Sequence, residues 1–321
     1  MSFKNIKGQD SALKFLKGTL ENNRVSHAYI FLGPSGVGRK LAALNFAKAA
    51  NCPGAIGYDA CDQCPSCRKI DASNHPDVFI LRPEKESSSI KIEKVRELIK
   101  DIGLKPYEGR KKVYIIDGAD LMKHEASAAI LKTLEEPPTD AIIILLAENL
   151  GSLLRTIVSR SQVVRFYPLG AREVEDILVK EYSIEDKKAH ILSHLFSGRL
   201  GEALKYKDEE FFTKRLTLIE GLAGMTFFES DFEKISKEDL KMYLGMMLSW
   251  YRDIMARKFG AGDEQLINAD KVEMIRREAD SLNAGYLGGV IDQIISTGSF
   301  LDQNANPKLA MSMLAAKIRE R

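Results

Sequence analysis

Residues 28–40 of this 321-residue chain read AYIFLGPSGVGRK. The first five residues form an apolar run of strand length, and the next eight are rich in glycine. The segment that follows, LAALNFAKAA at 41–50, is rich in helix formers. A strand, a glycine loop and a helix in this order form the setting in which backbone amides hold phosphate groups. The sequence therefore predicts a phosphate-binding loop at Gly33–Lys40 in an α/β domain.

The loop departs from the usual G-x-x-x-x-G-K-[ST] pattern at the two positions that handle triphosphate and metal. Arg39 stands where the pattern has Lys, and Lys40 stands where it has the hydroxyl that holds Mg²⁺. A guanidinium is a broad planar fork and does not replace an ammonium in a tight nest of amides. We expect weak or absent binding of ATP or ADP, although the loop amides can still attract a phosphate. The predicted degenerate loop comprises Gly33, Gly36, Gly38, Arg39 and Lys40.

A second nucleotide motif is also altered. Lys111–Asp117 (KKVYIID) reads as a buried strand with Asp117 at its carboxyl end, where P-loop ATPases place an Asp that helps to hold Mg²⁺. The AAA+ class of these ATPases continues with a Glu that activates water, but Gly118 follows here. Loss of a general base costs about 10²–10⁴ in rate. Asp117 and Asp120 therefore have an alternative interpretation as turn or helix-capping residues.

All four cysteines fall within sixteen residues, in a C-x₈-C-x₂-C-x₂-C pattern made by Cys52, Cys61, Cys64 and Cys67. Thiolates this close together are typical of tetrahedral Zn²⁺, and four sulfur ligands close the site to catalysis. We predict a structural zinc site in an insert at about residues 51–70. Free thiols or redox chemistry are the alternatives. His75 is a ligand by type, but we expect it to be a surface or capping residue.

The bulk composition limits the function classes. The 47 Lys and Arg residues nearly balance the 45 Asp and Glu residues, and the formal charge is +2. No global basic field indicates nucleic-acid binding, so any contact with DNA must come from local patches. The length favours two or three domains, and no apolar stretch approaches the length of a membrane span. We expect a cytoplasmic protein without a leader segment.

The alternation of elements favours a doubly wound parallel sheet. Val78–Leu81 and Ala141–Leu146 are further continuous apolar runs, typical of parallel strands covered on both faces. Helical spacing over residues 92–102 predicts a helix capped within Ser87–Ser89, and Ala126–Glu136 is a second helix that ends before two prolines.

Beyond about Tyr167 the sequence is helical to its end. His190 and His194 share one helix face at a spacing that suits a metal, but no third ligand is near them in the sequence. We expect these two histidines to be partly buried or exposed. The last helix is predicted to begin after an Asn306 cap, with Pro307 in its first turn.

Several segments resemble the bacterial clamp-loader family of DNA polymerase III, strongly over about residues 1–205. They are HAYIFLGPSGVGRK (27–40), the cysteine insert, HPDVF (75–79), IKIEKVREL (90–98), LKTLEEPP (131–138), TIVSRSQVV (156–164) and, near the end of the chain, NPKLA (306–310). The resemblance implies an AAA+ module at 1–166, a helical lid at 167–207 and a helical collar at 208–321. It also implies a hetero-pentamer with motor (gamma/tau) and delta subunits around primer-template DNA.

Within that family this chain resembles the subunits that have lost hydrolysis. The family's lid arginine corresponds here to Gly201, with Arg199 two residues early. Arg160 matches the family's arginine finger, which reaches the ATP of a neighbouring subunit, although Ser161 replaces the usual Cys. An arginine supplied in trans contributes about 10³–10⁵ in phosphoryl-transfer rate. Glu135 and Glu136 either face a partner across an interface or lie on a plain helix surface.

Two other functions remain open. An active AAA+ clamp-loader ATPase would need Arg39 or Lys40 to do the work of the missing lysine, and it predicts turnover by the isolated chain. A zinc-dependent DNA-binding protein would read bases through the cysteine module. That module offers only Arg68 and Lys69 at its flank and no ladder of aromatic residues.

Overall fold

The computed structural model describes residues 2–55, 57–84, 89–224, 226, 235–303 and 305–321. The chain divides into two compact units. The first comprises the described residues up to Leu169 together with Arg199–Gly201, and the second comprises Gly170–Gly198 and Glu202–Arg321.

The first unit contains a parallel sheet of five strands within the described residues. The strands are β1 (Ala28–Leu32), β2 (Val78–Leu81), β3 (Lys112–Asp117), β4 (Ala141–Ala147) and β5 (Gln162–Arg165). Their spatial order is β2-β3-β4-β1-β5, with every neighbouring pair parallel. Because parallel strands require crossovers, helices connect them on both faces of the sheet. The predicted α/β doubly wound fold is confirmed.

Helices of the first unit cover the sheet. They are α1 (Asp10–Glu21), α2 (Arg39–Asn51), α3 (Pro65–Asp71), α4 (Ile92–Ile102), α5 (His124–Glu135) and α6 (Arg155–Val158). Alternate residues of β1 enter two different cores, since successive side chains of a strand point to opposite faces. Phe31 packs in a core with Phe46 of α2, and Ile30 packs in a core with Val95 of α4 and Ile130 of α5.

The predicted cap of α4 is wrong in one part. The helix begins at Ile92, and its N-cap is Lys91, which makes no side-chain capping bond. Ser89 therefore lies outside the capping position, and Ser87 and Ser88 lie outside the described residues. Ile90, next to Ser89, forms an isolated parallel bridge with Met122, so the backbone is still extended at the point where the cap was predicted.

The second unit is helical throughout its described residues. Its helices are α7 (Ala171–Tyr182), α8 (Asp186–Leu195), α9 (Leu200–Lys205), α10 (Glu209–Ala223), α11 (Lys237–Lys258), α12 (Val272–Ser281), α13 (Ala284–Asp302) and α14 (Pro307–Arg319). Asn306 caps α14 with its side chain and Pro307 is the first helical residue, as predicted. Trp250, Met247 and Ile254 of α11 are buried. The division of this region into a lid at 167–207 and a collar at 208–321 stays a prediction.

Among the described residues, no helix combines the length and apolar character that a membrane span requires.

Candidate functional sites

The glycine loop joins β1 to α2 at the carboxyl end of the sheet. Gly36 and Gly38 adopt positive φ values of 81° and 101°, which L-residues rarely adopt. Gly33 is required for a different reason, since a Cβ on this residue would lie 2.3 Å from the carbonyl oxygen of Phe166. The strand, the glycine loop and the helix therefore follow one another as predicted.

The two altered side chains of the loop contact the acidic residues around it. The Lys40 ammonium lies 3.0 Å from the Asp117 carboxylate at the end of β3. The Arg39 guanidinium lies 3.3 Å from the Glu148 carboxylate, just beyond β4. Burial lowers the pKa of Arg39, and the nearby carboxylates of Glu148, Asp120 and Asp117 oppose that effect. Both cations of the loop are thus paired by this chain's own carboxylates.

Gly118 occupies a backbone conformation that disfavours the missing general base. Its φ is 86°, in the left-handed region, and a Cβ on it would lie 3.2 Å from Leu121 Cδ1. A Glu in this conformation would cost about 1–2 kcal/mol in backbone strain. The carboxylate of Asp120 accepts a hydrogen bond from the backbone N–H of Glu148 at 3.1 Å. Asp120 therefore links the turn after β3 to the residue that follows β4, in agreement with its alternative interpretation as a turn residue. Asp117 forms the ion pair with Lys40.

Gly201, at the position of the family's lid arginine, packs against the glycine loop. Residues 199–201 belong to the first unit, and the N–H of Gly201 donates to the carbonyl of Gly36 at 2.8 Å. A Cβ on Gly201 would lie 2.8 Å from that same oxygen. A side chain of any kind is therefore excluded here unless the backbone moves.

The four cysteines converge on one point between α2 and α3. The Sγ of Cys52 lies 3.4 Å from that of Cys61 and 3.8 Å from that of Cys64. The ligand atoms of all four residues, including Cys67, lie within 4.8 Å of one another. Sulfurs placed about 2.3 Å from a tetrahedral zinc ion lie about 3.8 Å apart. The cluster can therefore bind a metal ion such as zinc.

Backbone amides support the cysteine sulfurs. The N–H of Cys64 donates to the Cys61 sulfur at 3.3 Å, and the N–H of Cys67 donates to the Cys64 sulfur at 3.4 Å. Hydrogen bonds from the amides of Gln63 and Cys64 lower the pKa of the Cys61 thiol to about 6. Burial raises the pKa of Cys52. Metal binding needs thiolates, and these amides favour the thiolate form of Cys61.

A buried lysine connects the insert to the sheet domain. The side chain of Lys48 in α2 is fully buried, and its ammonium pairs with Asp62, within the insert, and with Asp71 at the end of α3. Because a buried charge is costly without partners, these pairs fix the insert on α2.

His75 does not belong to the cysteine cluster, and the expectation of a surface position is wrong. The residue is 3% exposed. Its Nδ1 accepts the backbone N–H of Asp77 at 3.0 Å, and its Nε2 lies 3.1 Å from the hydroxyl of Ser66. Burial lowers the pKa of His75, which favours the neutral ring. The hydrogen bond that His75 accepts from the backbone N–H of Asp77 agrees with the other expectation, a capping residue.

Arg160 follows α6 and is held on the surface of the first unit. Its guanidinium lies 3.0 Å from the carboxylate of Glu135, the last residue of α5. It also donates to the carbonyl of Thr156 at 3.2 Å. The Arg160 side chain is 37% exposed and that of Glu135 is 50% exposed, so the pair is accessible to solvent. The hydroxyl of Ser161 is buried and has no hydrogen-bond partner among the described residues.

Arg160 and the glycine loop lie at opposite edges of the sheet. In the parallel pairing of β5 with β1, Gln162 is opposite Tyr29 and Arg165 is opposite Leu32. Arg160 precedes the first of these pairs, whereas the loop follows the last. The three residue steps from Tyr29 to Leu32 span about 10 Å along the strand. Arg160 therefore lies beyond the amino ends of these strands, whereas the loop of the same chain lies beyond their carboxyl ends.

Sequence reasoning missed two residues that shape these sites. Glu148 pairs with Arg39. The sequence signal for Glu148 is that it is the first polar residue after the apolar run of β4. Asp77 is fully buried and accepts backbone N–H bonds from three residues in the connection between α4 and β3. They are Tyr107 at 2.7 Å, Glu108 at 2.9 Å and Gly109 at 2.7 Å. Asp77 lay within the HPDVF segment but was given no role there.

Comparisons with known proteins agree with this architecture. A family model described as "DNA polymerase III, delta subunit" matches residues 8–170. A second model, described as "DNA polymerase III, delta subunit, C terminal", matches residues 209–320. The first covers the sheet domain, and the second covers the helices from α10 onward.

Individual relatives include two proteins of Bacillus subtilis strain 168. The DNA polymerase III subunit delta' is 31% identical and the match covers 97% of this chain and 96% of the relative. The subunit tau is 26% identical over 98% of this chain and 61% of the relative. A solved gamma subunit-related protein of Thermotoga maritima is 20% identical, with a TM-score of 0.47 and coverage of 97% and 99%. Since a family model matches half of the sequence and a delta' subunit aligns over nearly all of it, this chain belongs to the delta' family of DNA polymerase III clamp-loader subunits.

Proposed function

We propose that this clamp-loader subunit does not hydrolyse ATP itself and that it donates Arg160 to the ATP of a neighbouring motor subunit. The observation that carries the proposal is the Lys40–Asp117 ion pair of 3.0 Å. In an active P-loop enzyme these two positions hold Mg²⁺ through a hydroxyl and a carboxylate. Here a protein ammonium neutralises the carboxylate, and a metal ion at this point would meet a second cation.

Three further features support the loss of hydrolysis. Arg39 is engaged by Glu148, Gly118 supplies no general base, and Gly201 supplies no lid arginine. Each loss lies at a different element of the site, so restoring one residue does not restore the others. We infer weak or absent binding of ATP and ADP at Gly33–Lys40.

The position of Arg160 supports action on another subunit. A guanidinium at the edge of the sheet opposite the loop is too far from the nucleotide site of its own chain. It is half-exposed and held by a carboxylate that is itself half-exposed. Exposed ion pairs contribute only about 0–1 kcal/mol, so the arginine can leave Glu135 at little cost when a triphosphate approaches.

The alternative is an active clamp-loader ATPase of the gamma/tau type. The glycine loop, whose backbone is preserved, and the tau relative favour it. Equilibrium dialysis of the purified chain with labelled ATP and Mg²⁺ separates the two functions. We expect no saturable binding at micromolar nucleotide and no phosphate release. Turnover by the isolated chain that is abolished by Arg39→Ala would contradict the proposal.

The partners that we propose are the motor (gamma/tau) and delta subunits of a hetero-pentamer, with the collar at 208–321 as the assembly domain. We also propose two further partners, which are the primer-template DNA inside the ring and the sliding clamp. Mixing the purified chain with motor and delta subunits tests assembly directly. We expect one stable complex by size-exclusion chromatography with light scattering. Separate elution of this chain would contradict the assignment of partners.

For the cysteine cluster we propose a structural Zn²⁺ site. Atomic absorption should find one zinc per chain, and Cys67→Ser should remove it. Loss of zinc leaves the buried Lys48 holding an insert without its central cross-link, so the melting temperature should fall. A zinc-free chain with an unchanged melting temperature would contradict a structural role.

A further inference from the structure

A second group of metal-ligand side chains lies in the helical unit, far in sequence from the cysteines. It consists of Glu175 on α7 with His190 and His194 on α8, and their ligand atoms lie within 4.8 Å of one another. The sequence showed the two histidines without a third ligand near them. Packing of α7 against α8 places Glu175 beside them, and both histidines are partly buried, as expected.

The hydrogen-bond partners of His190 bring its Nδ1 face to face with the carboxylate of Glu175. Its Nε2 lies 2.9 Å from the carbonyl oxygen of Leu266, which only accepts, so Nε2 carries the hydrogen. In the neutral ring Nδ1 then has a lone pair, and it faces Glu175 Oε1 at 3.1 Å. Two acceptors at this distance require a proton or a metal ion between them. A ligating histidine that donates its other N–H to a carbonyl is the usual arrangement in metal sites.

His194 brings a second imidazole to the same carboxylate. Its Nδ1 lies 3.3 Å from Glu175 Oε1 and 2.9 Å from the carbonyl of His190. When Nδ1 donates to that carbonyl, the other ring nitrogen keeps its lone pair free for a ligand. The hydroxyl of the buried Ser193 donates to Glu175 Oε1 at 3.0 Å and orients the carboxylate.

The spacing of these groups matches a zinc centre. Nitrogen and oxygen ligands about 2.0–2.1 Å from a tetrahedral zinc ion lie about 3.3 Å from one another. The distance from Glu175 Oε1 to His190 Nδ1 is 3.1 Å, and the ligand atoms of the three side chains lie within 4.8 Å of one another. The three side chains are 24–33% exposed, so a fourth position faces solvent and suits water.

We propose that Glu175, His190 and His194 form a binding site for a divalent transition-metal ion, with Zn²⁺ as the ion that fits two imidazoles and a carboxylate. A bound ion joins α7 to α8, and the His190–Leu266 hydrogen bond extends this link to the segment between α11 and α12. The site is independent of the cysteine cluster and of the proposed ATPase role.

The test uses the full chain without a histidine tag, with the cysteine cluster first saturated with Zn²⁺. Equilibrium dialysis against Co²⁺ should then show one further metal equivalent per chain. Its optical spectrum should carry tetrahedral cobalt bands without the charge-transfer bands of thiolate ligands. Glu175→Gln and His194→Ala should each weaken this binding at least about tenfold, because each removes a ligand.

His124→Ala is the matched control, since this exposed histidine begins α5 and belongs to neither cluster. It should keep the additional equivalent. Zn²⁺ should raise the melting temperature of the wild-type chain and of this control, but not of the two ligand variants. No additional equivalent in the wild-type chain would overturn the proposal, whether or not the variants fold. Retention of that equivalent by both folded ligand variants would overturn it as well.

Discussion

Lys40 changes the role of Asp117, because its ammonium provides the positive charge that a metal ion provides in an active site. The ion pair is partly exposed, so its contribution to stability is small, about 0–1 kcal/mol. Its effect on chemistry is larger. Lys40 stands in place of the hydroxyl ligand of Mg²⁺, and its ammonium neutralises the Asp117 carboxylate. A single substituted residue therefore removes both contributions to metal binding.

Gly118→Glu tests whether the missing general base can be restored. The left-handed conformation at this position should lower the free energy of unfolding by about 1–2 kcal/mol. ATP turnover should remain absent because Lys40 still pairs with Asp117. Urea denaturation and a phosphate-release assay measure the two effects. Gly103→Glu is the control, since Gly103 is exposed and has a negative φ, and it should change stability by less than about 0.5 kcal/mol.

Glu135→Gln tests whether the carboxylate only holds the arginine or also contacts a partner. As a plain surface pair with Arg160, it should change stability by less than about 1 kcal/mol. Removing the competing charge should leave assembly intact and keep or raise the ATPase rate of the reconstituted complex. Glu136→Gln is the control variant. Loss of assembly in the Glu135 variant alone would show instead that Glu135 lies in an interface.

The sequence indicated which residues form these sites, but it did not indicate which side chains they contact. The glycine loop, the cysteine spacing and Arg160 belong to local patterns that a single sequence displays directly. Glu148, His75 and Glu175 were missed or misjudged. Their contacts join different elements of the fold, and a single sequence does not show which elements will pack together.

At the scale of elements, the strands were the most predictable feature. β1 and β2 have the predicted bounds, because continuous apolar runs bounded by polar residues are typical of strands buried on both faces. The predicted bounds of α4, residues 92–102, are also confirmed, but its cap is not, since the backbone bridge at Ile90 keeps the chain extended between the serines and the helix. Tertiary pairing there outweighed the capping preference of serine.

The connection between α4 and β3 depends on one buried carboxylate. Burial raises the pKa of Asp77, but the amides of Tyr107, Glu108 and Gly109 outweigh that effect and hold the pKa below its usual value. A lowered pKa means that the ionised form stabilises the fold at pH values above the unfolded pKa of about 3.9, and that this contribution is lost as the pH falls through the folded pKa.

Asp77→Asn should therefore destabilise the chain by about 2 kcal/mol at neutral pH, because charge-assisted hydrogen bonds are lost. The difference from wild type should shrink below about pH 4. Urea denaturation at several pH values measures it. The exposed Asp176→Asn change on α7 is the control, with an expected effect below about 0.5 kcal/mol. An equal difference at all pH values would contradict the assigned role of the charge.

At the scale of the whole molecule, the parallel sheet separates the glycine loop from Arg160. Its carboxyl edge bears the loop, whose cations are paired within the chain, and its amino edge presents Arg160. The sequence predicted both features and their family, but the separation across the sheet followed only from the strand register. Such an arrangement suits a subunit whose chemistry occurs at the site of a neighbour.

The ATPase rate of a reconstituted clamp loader that contains Arg160→Ala tests this claim most directly. The site next to this chain should lose about 10³–10⁵ in rate. The DNA-stimulated ATPase rate of the whole complex should then fall by at least the fraction that this site contributes. Assembly of the complex should be unchanged. Arg155→Ala, at the exposed arginine that begins α6 just before Arg160, should leave the rate unaltered. Equal rates for wild type and Arg160→Ala in the intact complex would contradict the account.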